Sequence, residues 1–379
     1  MIYLDNAATT QMYRDVIHTM EICNDVAFAN PGSIHSAGWT ANQWVSKARH
    51  QVASVVKASP QDVIFTSGGS ESNSLALLGV ADYLKKIGKT HILINPTEHK
   101  SVLKCAERLA EMGFQIEYLM MTQRGYVYVN DIEERIRDNT GLVSVMGINN
   151  ETGVENDINS ICDLCHDHGV LFHSDCVQAF GKRHINLDAF PIDFVSVSAH
   201  KIHGPKGVGC LFVQDKKLLS PLILGGSQEF GLRAGTENVP GIAGFGAAAE
   251  TADYIFKNGK TKIQKIINGI IYKLGDIAHV NGAINPAGYI ANMRFDGVSG
   301  ESLVLLLSSK GVMVSAGSAC TANSSQPSHV LKAMGLSDEE ARSSIRISIS
   351  EEITETEEAE AIEKIVGCVR ELREVGAGE

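Results

Sequence analysis

No apolar run in this 379-residue chain reaches the length needed to span a bilayer, which excludes an α-helical membrane anchor from the expected architecture. The opening Met1-Ile2-Tyr3-Leu4-Asp5 has neither the charge nor the apolar stretch of a signal peptide. Positive charge is scarce as well: 33 Lys and Arg stand against 44 Asp and Glu, a net charge of −11, so no direct nucleic-acid partner is expected. Eight cysteines are too few for a disulfide framework at this size, and most are expected as small core residues in a reducing compartment. Repeats and low-complexity segments are absent. These absences leave a soluble, cytoplasmic protein without membrane contact as the expectation. Its 44% hydrophobic and 20% charged residues are ordinary for a globular chain.

Short apolar runs alternate with helical patterns, which predicts an α/β fold with a mostly parallel sheet. Seven strands are expected: Val63–Phe65, His91–Ile94, Gln115–Leu119, Leu142–Ile148, Val170–Phe172, Phe194–Val197 and Gly209–Val213. Helices are expected at Trp39–Lys57, Ser70–Lys86, Lys100–Met112, Ile158–His168 and Val239–Leu274. The pattern then changes: Tyr289–Phe295, Ser302–Ser308, Ser344–Ile349 and Thr354–Leu372 suggest a smaller α+β unit. Two domains follow, 1–260 and 261–379, with the N-terminal segment a candidate to join the smaller one. Glu351, Glu352, Glu355, Glu357 and Glu358 lie in the first turns of the last helix, where acidic residues suit the helix dipole.

The chemistry concentrates where strands run out. Asp175 ends His173-Ser174-Asp175 and Lys201 ends Ser198-Ala199-His200-Lys201, each after a strand-like run. Ligands of open α/β sheets bind at the carboxyl ends of strands. A lysine there can hold an aldehyde as a Schiff base, and an upstream Asp can pair with a pyridinium nitrogen, which points to pyridoxal 5′-phosphate. Thr66-Ser67-Gly68-Gly69-Ser70-Glu71-Ser72-Asn73 follows a strand and opens a helix, a setting for an anion on free N–H groups. It lacks the Gly-Lys-Ser/Thr ending of a Walker motif and alone reads equally as an ordinary capped turn; beside a lysine of this kind it is the natural seat for a cofactor phosphate. His99, after Pro96 and Glu98, could stack on a flat ring, and Gln178 could reach a ring hydroxyl. Asn149-Asn150-Glu151-Thr152-Gly153 also follows a strand and reads equally as a turn. Arg346, in the alternating Ser344-Ile345-Arg346-Ile347-Ser348, has the fork to take a carboxylate. Cys320 lies in a small, polar stretch, Gly317–Gln326, where an exposed thiol is a candidate nucleophile. Cys162-Asp163-Leu164-Cys165-His166 has the spacing of a haem-attachment site, but it sits in a helical pattern of a chain with no export signal; core thiols are expected instead, and no metal.

Taken together, these stretches resemble the cysteine desulfurases of the NifS/IscS family, in the class V branch of pyridoxal phosphate enzymes with the type I transferase fold. The resemblance also covers Tyr3–Thr10, Asn30–His35, Gly231–Asn238 and Ser343–Ser348, and so runs through nearly the whole chain. It implies a large domain with a seven-stranded sheet and a smaller α+β domain. It implies that Lys201 is the Schiff-base lysine, Asp175 the partner of the pyridine nitrogen, His99 a catalytic group over the ring and Gln178 a neighbour of the ring oxygen. Gly69, Ser70, Ser198 and His200 would hold the phosphate, with Thr236 from the other subunit of a homodimer. Asn150 and Arg346 would hold the substrate, Asn150 also touching the cofactor, and Cys320 would take the sulfur.

The implied reaction removes sulfur from L-cysteine, leaving L-alanine and a persulfide on Cys320 for a sulfur-acceptor protein. The acceptor is open between iron–sulfur scaffold, tRNA-thiolation and thiamine pathways. Selenocysteine lyase or another β-lyase is the alternative on the same cofactor; a scaffold without catalysis is a third reading, against which Lys201, Asp175, His99 and Cys320 all stand. Two departures from relatives are expected to matter: Cys176 stands where alanine is usual, and the chain ends at Glu379 without the longer tail some relatives use for docking a scaffold protein.

Overall fold

The computed structural model describes residues 1–258, 263–282, 288–316 and 326–376. Strand β1 (Ile2–Tyr3) is followed by seven strands that form one sheet: β2 (Val63–Thr66), β3 (His91–Ile94), β4 (Gln115–Tyr118), β5 (Thr140–Ser144), β6 (Leu171–Asp175), β7 (Phe194–Ser198) and β8 (Gly209–Val213). Their order is β2-β8-β7-β6-β5-β3-β4. Only β8 runs against the others, pairing antiparallel with both β2 and β7. Strands β3, β5, β7 and β8 are buried along their whole length, and β6 in all but Leu171, as a sheet covered on both faces requires.

Helices cover the two faces. Arg14–Val26, Ser36–Val55, Val239–Asn258 and Ile158–Asp167 enclose one apolar core, with Val45, Val52, Phe172, Val197 and Phe245 inside it. Gly69–Gly79, Ala81–Lys86 and Lys100–Glu111 enclose the other, built on Leu77, Leu84, Ile92, Leu109 and Leu211. Such burial, at about 25 cal/mol per Å² of apolar surface, is the main force holding the layers together.

The remaining strands, β9 (Ala278–Asn281), β10 (Ile290–Phe295), β11 (Val312–Met313) and β12 (Ser344–Ser348), belong to a second unit. Its three-stranded antiparallel sheet has the order β12-β10-β9. Helices Ile263–Leu274, Gly300–Ser309 and Glu355–Gly376 pack on it around Ile266, Met293, Phe295, Leu307, Ile345 and Ile365. Ile2 and Leu4 of the N-terminal segment enter this second core, and β1 pairs in parallel with β11.

Several elements differ from the expectation; the expected helix Ser70–Lys86, for one, is two helices, Gly69–Gly79 and Ala81–Lys86. Helix Arg14–Val26 has no expected counterpart; only Val16 and Cys23 of its thirteen residues are buried, so its apolar stripe is thin. The expected long helix Val239–Leu274 is helical over Val239–Asn258 and Ile263–Leu274, with residues 259–262 outside the described residues. The strand expected to reach Ile148 stops at Ser144. Beyond it, Met146 N–H is taken by the Glu98 carboxylate rather than by a neighbouring strand. The seven described cysteines are all buried thiols. No helix among the described residues is long and apolar enough to cross a membrane.

Candidate active site

A cavity of about 230 Å³ opens at the carboxyl ends of β6 and β7, roofed by the N-terminal segment and by β12. Its walls bring together Lys201, Asp175, His99, Gln178, Asn150 and Arg346 from distant parts of the sequence. Gly69, Ser70, Ser198 and His200 line it too.

Lys201 stands on a single tight turn, Ala199–Lys201, that follows β7 directly. Its Nζ donates to the carbonyl oxygens of Ala7 (2.6 Å) and Ala8 (2.7 Å). The N-terminal segment is fastened to that turn at several points: Thr10 N–H donates to His200 O, His203 N–H to Thr10 Oγ1, and Gln178 Nε2 to Ala7 O. Gln178 Oε1 is buried without a hydrogen-bond partner. An orphaned acceptor at the wall of a polar cavity is a group whose partner is a ligand.

Asp175 closes β6 and is 4% exposed. Its Oδ1 accepts from Val177 N–H (3.0 Å) and its Oδ2 from Asn73 Nδ2 (2.7 Å). Facing it, His99 caps helix Lys100–Glu111 with its own ring, Nδ1 accepting from Ser101 N–H at 3.2 Å. Glu98 beneath it is wholly buried, and burial, reinforced by the neighbouring Asp175, pushes its carboxyl well above the usual range.

The turn between β2 and helix Gly69–Gly79 forms another wall. Gly68 takes φ 149°, open to glycine and not to L side chains. The helix N-terminus beyond it carries Ser70 on its first turn, and unpaired N–H groups at such an end attract an anion. Glu71 does not compete for that role: its carboxylate is held by Ser67 N–H and by Arg233, whose hydrogen bonds keep it ionised below the usual range despite burial. His200 completes this side, its Nδ1 3.1 Å from Thr9 Oγ1. Burial, then the positive charges of Lys201, Lys206 and Lys182, push the His200 imidazole down to about 4, so it is neutral.

Arg346 sits mid-strand in β12 and is 1% exposed, the largest fully buried side chain among the described residues. It donates through Nη2 to Asp5 Oδ1 (2.6 Å) and through Nη1 to Asn150 O (3.1 Å), and its Nε has no protein partner. A buried guanidinium with unused donors at a cavity wall is poised for an anion, a carboxylate above all.

Every described residue expected at the site lines the cavity except Thr236, which is exposed and does not reach it. Cys320 lies outside the described residues. Residues the sequence reading gave no role also line the cavity: Ala7, Ala8, Asn73, Met146 and Val177. Asn73 had a usable signal. It lies four residues after Gly69, on the same helix face. Ala7 and Ala8 act through backbone carbonyls, which leave no mark in side-chain chemistry.

Comparison with known proteins agrees with this layout. A profile of the aminotransferase class-V family matches residues 2–361. The chain is 42% identical to a cysteine desulfurase IscS of Shewanella baltica, over 99% of this chain and 94% of that one. It is also 42% identical, with the same coverage, to a cysteine desulfurase IscS of Buchnera aphidicola. Among solved structures, a NifS-like protein superposes with a TM-score of 0.90 at 34% identity, covering 97% of this chain and 99% of that one. SspA in complex with cysteine superposes with a TM-score of 0.82 at 35% identity, covering 93% and 99%. A match of this length, on a cavity with this composition, places the chain in the aminotransferase class-V family.

Proposed function

We propose that this chain is a pyridoxal phosphate-dependent cysteine desulfurase that converts L-cysteine to L-alanine and collects the sulfur on Cys320. The observation that carries the reading is one cavity holding Lys201, Asp175 and the buried, partly unpaired Arg346 together. The residues suit the cofactor. Lys201 is its covalent anchor, Asp175 supplies an anion for the ring nitrogen, and His99 covers a ring face. Gln178 has a free acceptor for a ring hydroxyl. The Gly69–Ser70 helix start, Ser198 and a neutral His200 suit a phosphate. When bound, pyridoxal phosphate supplies a carbonyl for the substrate amine and a ring that withdraws electrons from the substrate carbons.

The protein's own groups do the rest. Arg346 and Asn150 hold the substrate carboxylate and orient the side chain. Freed Lys201 moves protons at the substrate α-carbon. The Cys320 thiolate attacks the substrate sulfur: an S–S bond forms and the C–S bond breaks. The electron pair of that bond stays on the substrate carbon, which takes up a proton. The sum is cysteine plus Cys320 thiol giving alanine plus Cys320 persulfide. An acceptor protein, an iron–sulfur scaffold or a tRNA-thiolation enzyme, then receives the sulfur.

The reading includes a homodimer in which the exposed Thr236 reaches the partner's phosphate site. Phe28, Ile34, Trp39 and Leu224 support it, being large apolar side chains that stand exposed on the single chain. It also divides the chain into a cofactor domain, 1–260, and a smaller domain, 261–379, joined by the N-terminal segment. Support for that division comes from the separate apolar cores.

The test is Cys320→Ser. The variant is expected to retain cofactor and to form neither alanine nor sulfide, while mass spectrometry of the wild type after brief exposure to cysteine finds one extra sulfur on the Cys320 peptide. Normal turnover by Cys320→Ser would replace this reading by a β-lyase that needs no protein thiol, such as selenocysteine lyase.

A further inference from the structure

Two hydrogen-bond partners meet on one nitrogen of His99, and the surrounding groups decide which way both bonds run. Asn73 Nδ2 lies 2.7 Å from Asp175 Oδ2. Turning the amide over would set its oxygen against a carboxylate oxygen, so Asp175 fixes the amide with its NH₂ inward. The same Nδ2 lies 2.8 Å from Ser101 Oγ. Ser101 Oγ therefore accepts from Asn73, and its own hydrogen points to its other neighbour, His99 Nδ1, at 2.8 Å. The Ser101 backbone N–H reaches Nδ1 as well, at 3.2 Å, and a backbone N–H only donates. Asn73 Oδ1 is left buried and unpaired. The flipped amide would exchange that one cost for an oxygen–oxygen contact with the Asp175 carboxylate.

With two donors aimed at it, Nδ1 must carry a lone pair. The neutral ring then bears its hydrogen on Nε2. An imidazolium is disfavoured for the same reason, and also by position: His99 caps the N-terminus of a twelve-residue helix, where the backbone dipole opposes positive charge.

We infer that Asp175, Asn73 and Ser101 form a positioning chain that locks His99 as its Nε2–H tautomer, so that His99 presents a hydrogen-bond donor, not a base, to the cavity. The inference rests on the desulfurase reading of this cavity and deepens it. A nitrogen already bearing hydrogen has no lone pair for a substrate proton. Proton abstraction at the α-carbon falls to Lys201, and His99 stabilises negative charge through a hydrogen bond donated by Nε2. Asn73 and Ser101 are positioning residues, acting through His99.

The test reads the tautomer directly. Holoenzyme labelled with ¹⁵N-histidine is examined without substrate, and the His99 signals are assigned by their loss in His99→Gln. The expected spectrum has an unprotonated Nδ1 and a protonated Nε2. Ser101→Ala removes the hydroxyl donor and leaves the backbone one. Its His99 signals are expected to move toward the average of the two tautomers, with kcat for cysteine about tenfold lower, the effect of one lost hydrogen bond. KM and cofactor content stay unchanged, and Ser101→Thr restores both spectrum and kcat. A wild-type His99 protonated on Nδ1, or on both nitrogens, overturns the inference, as does an unchanged spectrum or unchanged kcat in Ser101→Ala. Because the wild-type spectrum is recorded without cysteine, a locked Nε2–H ring in a protein that forms no alanine would sink the desulfurase reading and leave the lock standing.

Discussion

Gly153→Ala is the sharpest perturbation of the substrate side. Gly153 has φ 71° and closes the Asn149–Gly153 turn with a hydrogen bond from its N–H to Asn149 O. A Cβ at this position would lie 2.2 Å from Ile290 O and 3.0 Å from Ile290 C, backbone atoms at the start of β10. Forcing an L residue into left-handed backbone costs about 1–2 kcal/mol. Relieving the clash moves the turn or β10 by about 1 Å, because carbon and oxygen need the separation of van der Waals contact. That displacement weakens Arg346 Nη1→Asn150 O (3.1 Å) and Asn292 Nδ2→Glu151 O (3.4 Å), each worth about 1 kcal/mol. If both bonds are lost, the sum is about 3–4 kcal/mol in unfolding free energy. Of this, about 1.4 kcal/mol falling on substrate binding corresponds to a tenfold rise in KM for cysteine. Urea unfolding followed by fluorescence gives the first quantity, and initial rates of alanine formation give the second. A Gly153→Ala protein with wild-type unfolding midpoint and wild-type KM would refute the claim that this turn is wedged against β10.

Other outcomes follow from the same geometry. Borohydride reduction of the holoenzyme and peptide mapping are expected to leave the pyridoxyl label on Lys201, and Lys201→Ala to carry none; label on another lysine contradicts the assignment. Asp175→Ala is expected to lose far more turnover than cofactor, since the anion beside the ring is removed while the phosphate seat remains; near-normal turnover at full occupancy speaks against it. Burial pushes the His173 imidazole down to about 3, so it is neutral in the fold while the unfolded chain takes up a proton below about 6.5. The stability from a neutral His173 is thus complete above pH 6.5 and lost as pH falls toward 3. His173→Gln, which keeps polar contact with Ser144 and Ser196, is expected to flatten the fall in urea midpoint between pH 6.5 and 4; an unchanged slope would argue for a group other than His173.

Much of this architecture is written in local patterns. Short apolar runs, Val170–Phe172 and Phe194–Val197 with only Ser196 inside it, lead into the polar ends of β6 and β7, so Asp175 and Lys201 could be placed at strand ends from the sequence. Arg346 stood out as a charge within an alternating strand pattern, and the structure buries it. Helix Arg14–Val26 was illegible because its stripe is thin, and tertiary packing against Val239–Asn258 holds it in place. The lysine cradle was illegible for a different reason. Carbonyl oxygens of Ala7 and Ala8 acquire meaning only when a segment near residue 7 is folded against residue 201. The Asn73–Ser101 link depends likewise on two helices meeting, and spacing alone does not reveal that.

The strap of residues 2–10 has a consequence for biosynthesis. It pairs with Val312, donates Ala7 N–H to Ser348 Oγ across 341 positions, and only then presents its carbonyls to Lys201. On the ribosome, this segment emerges long before either partner exists. The sheet that bears Lys201 and Asp175 can be complete while its roof still waits for β11 and β12. A nascent chain therefore passes through a stage with the lysine made but uncradled. Closure of the cofactor cavity waits for β11 and β12, and a chain interrupted before Ser348 could not achieve it.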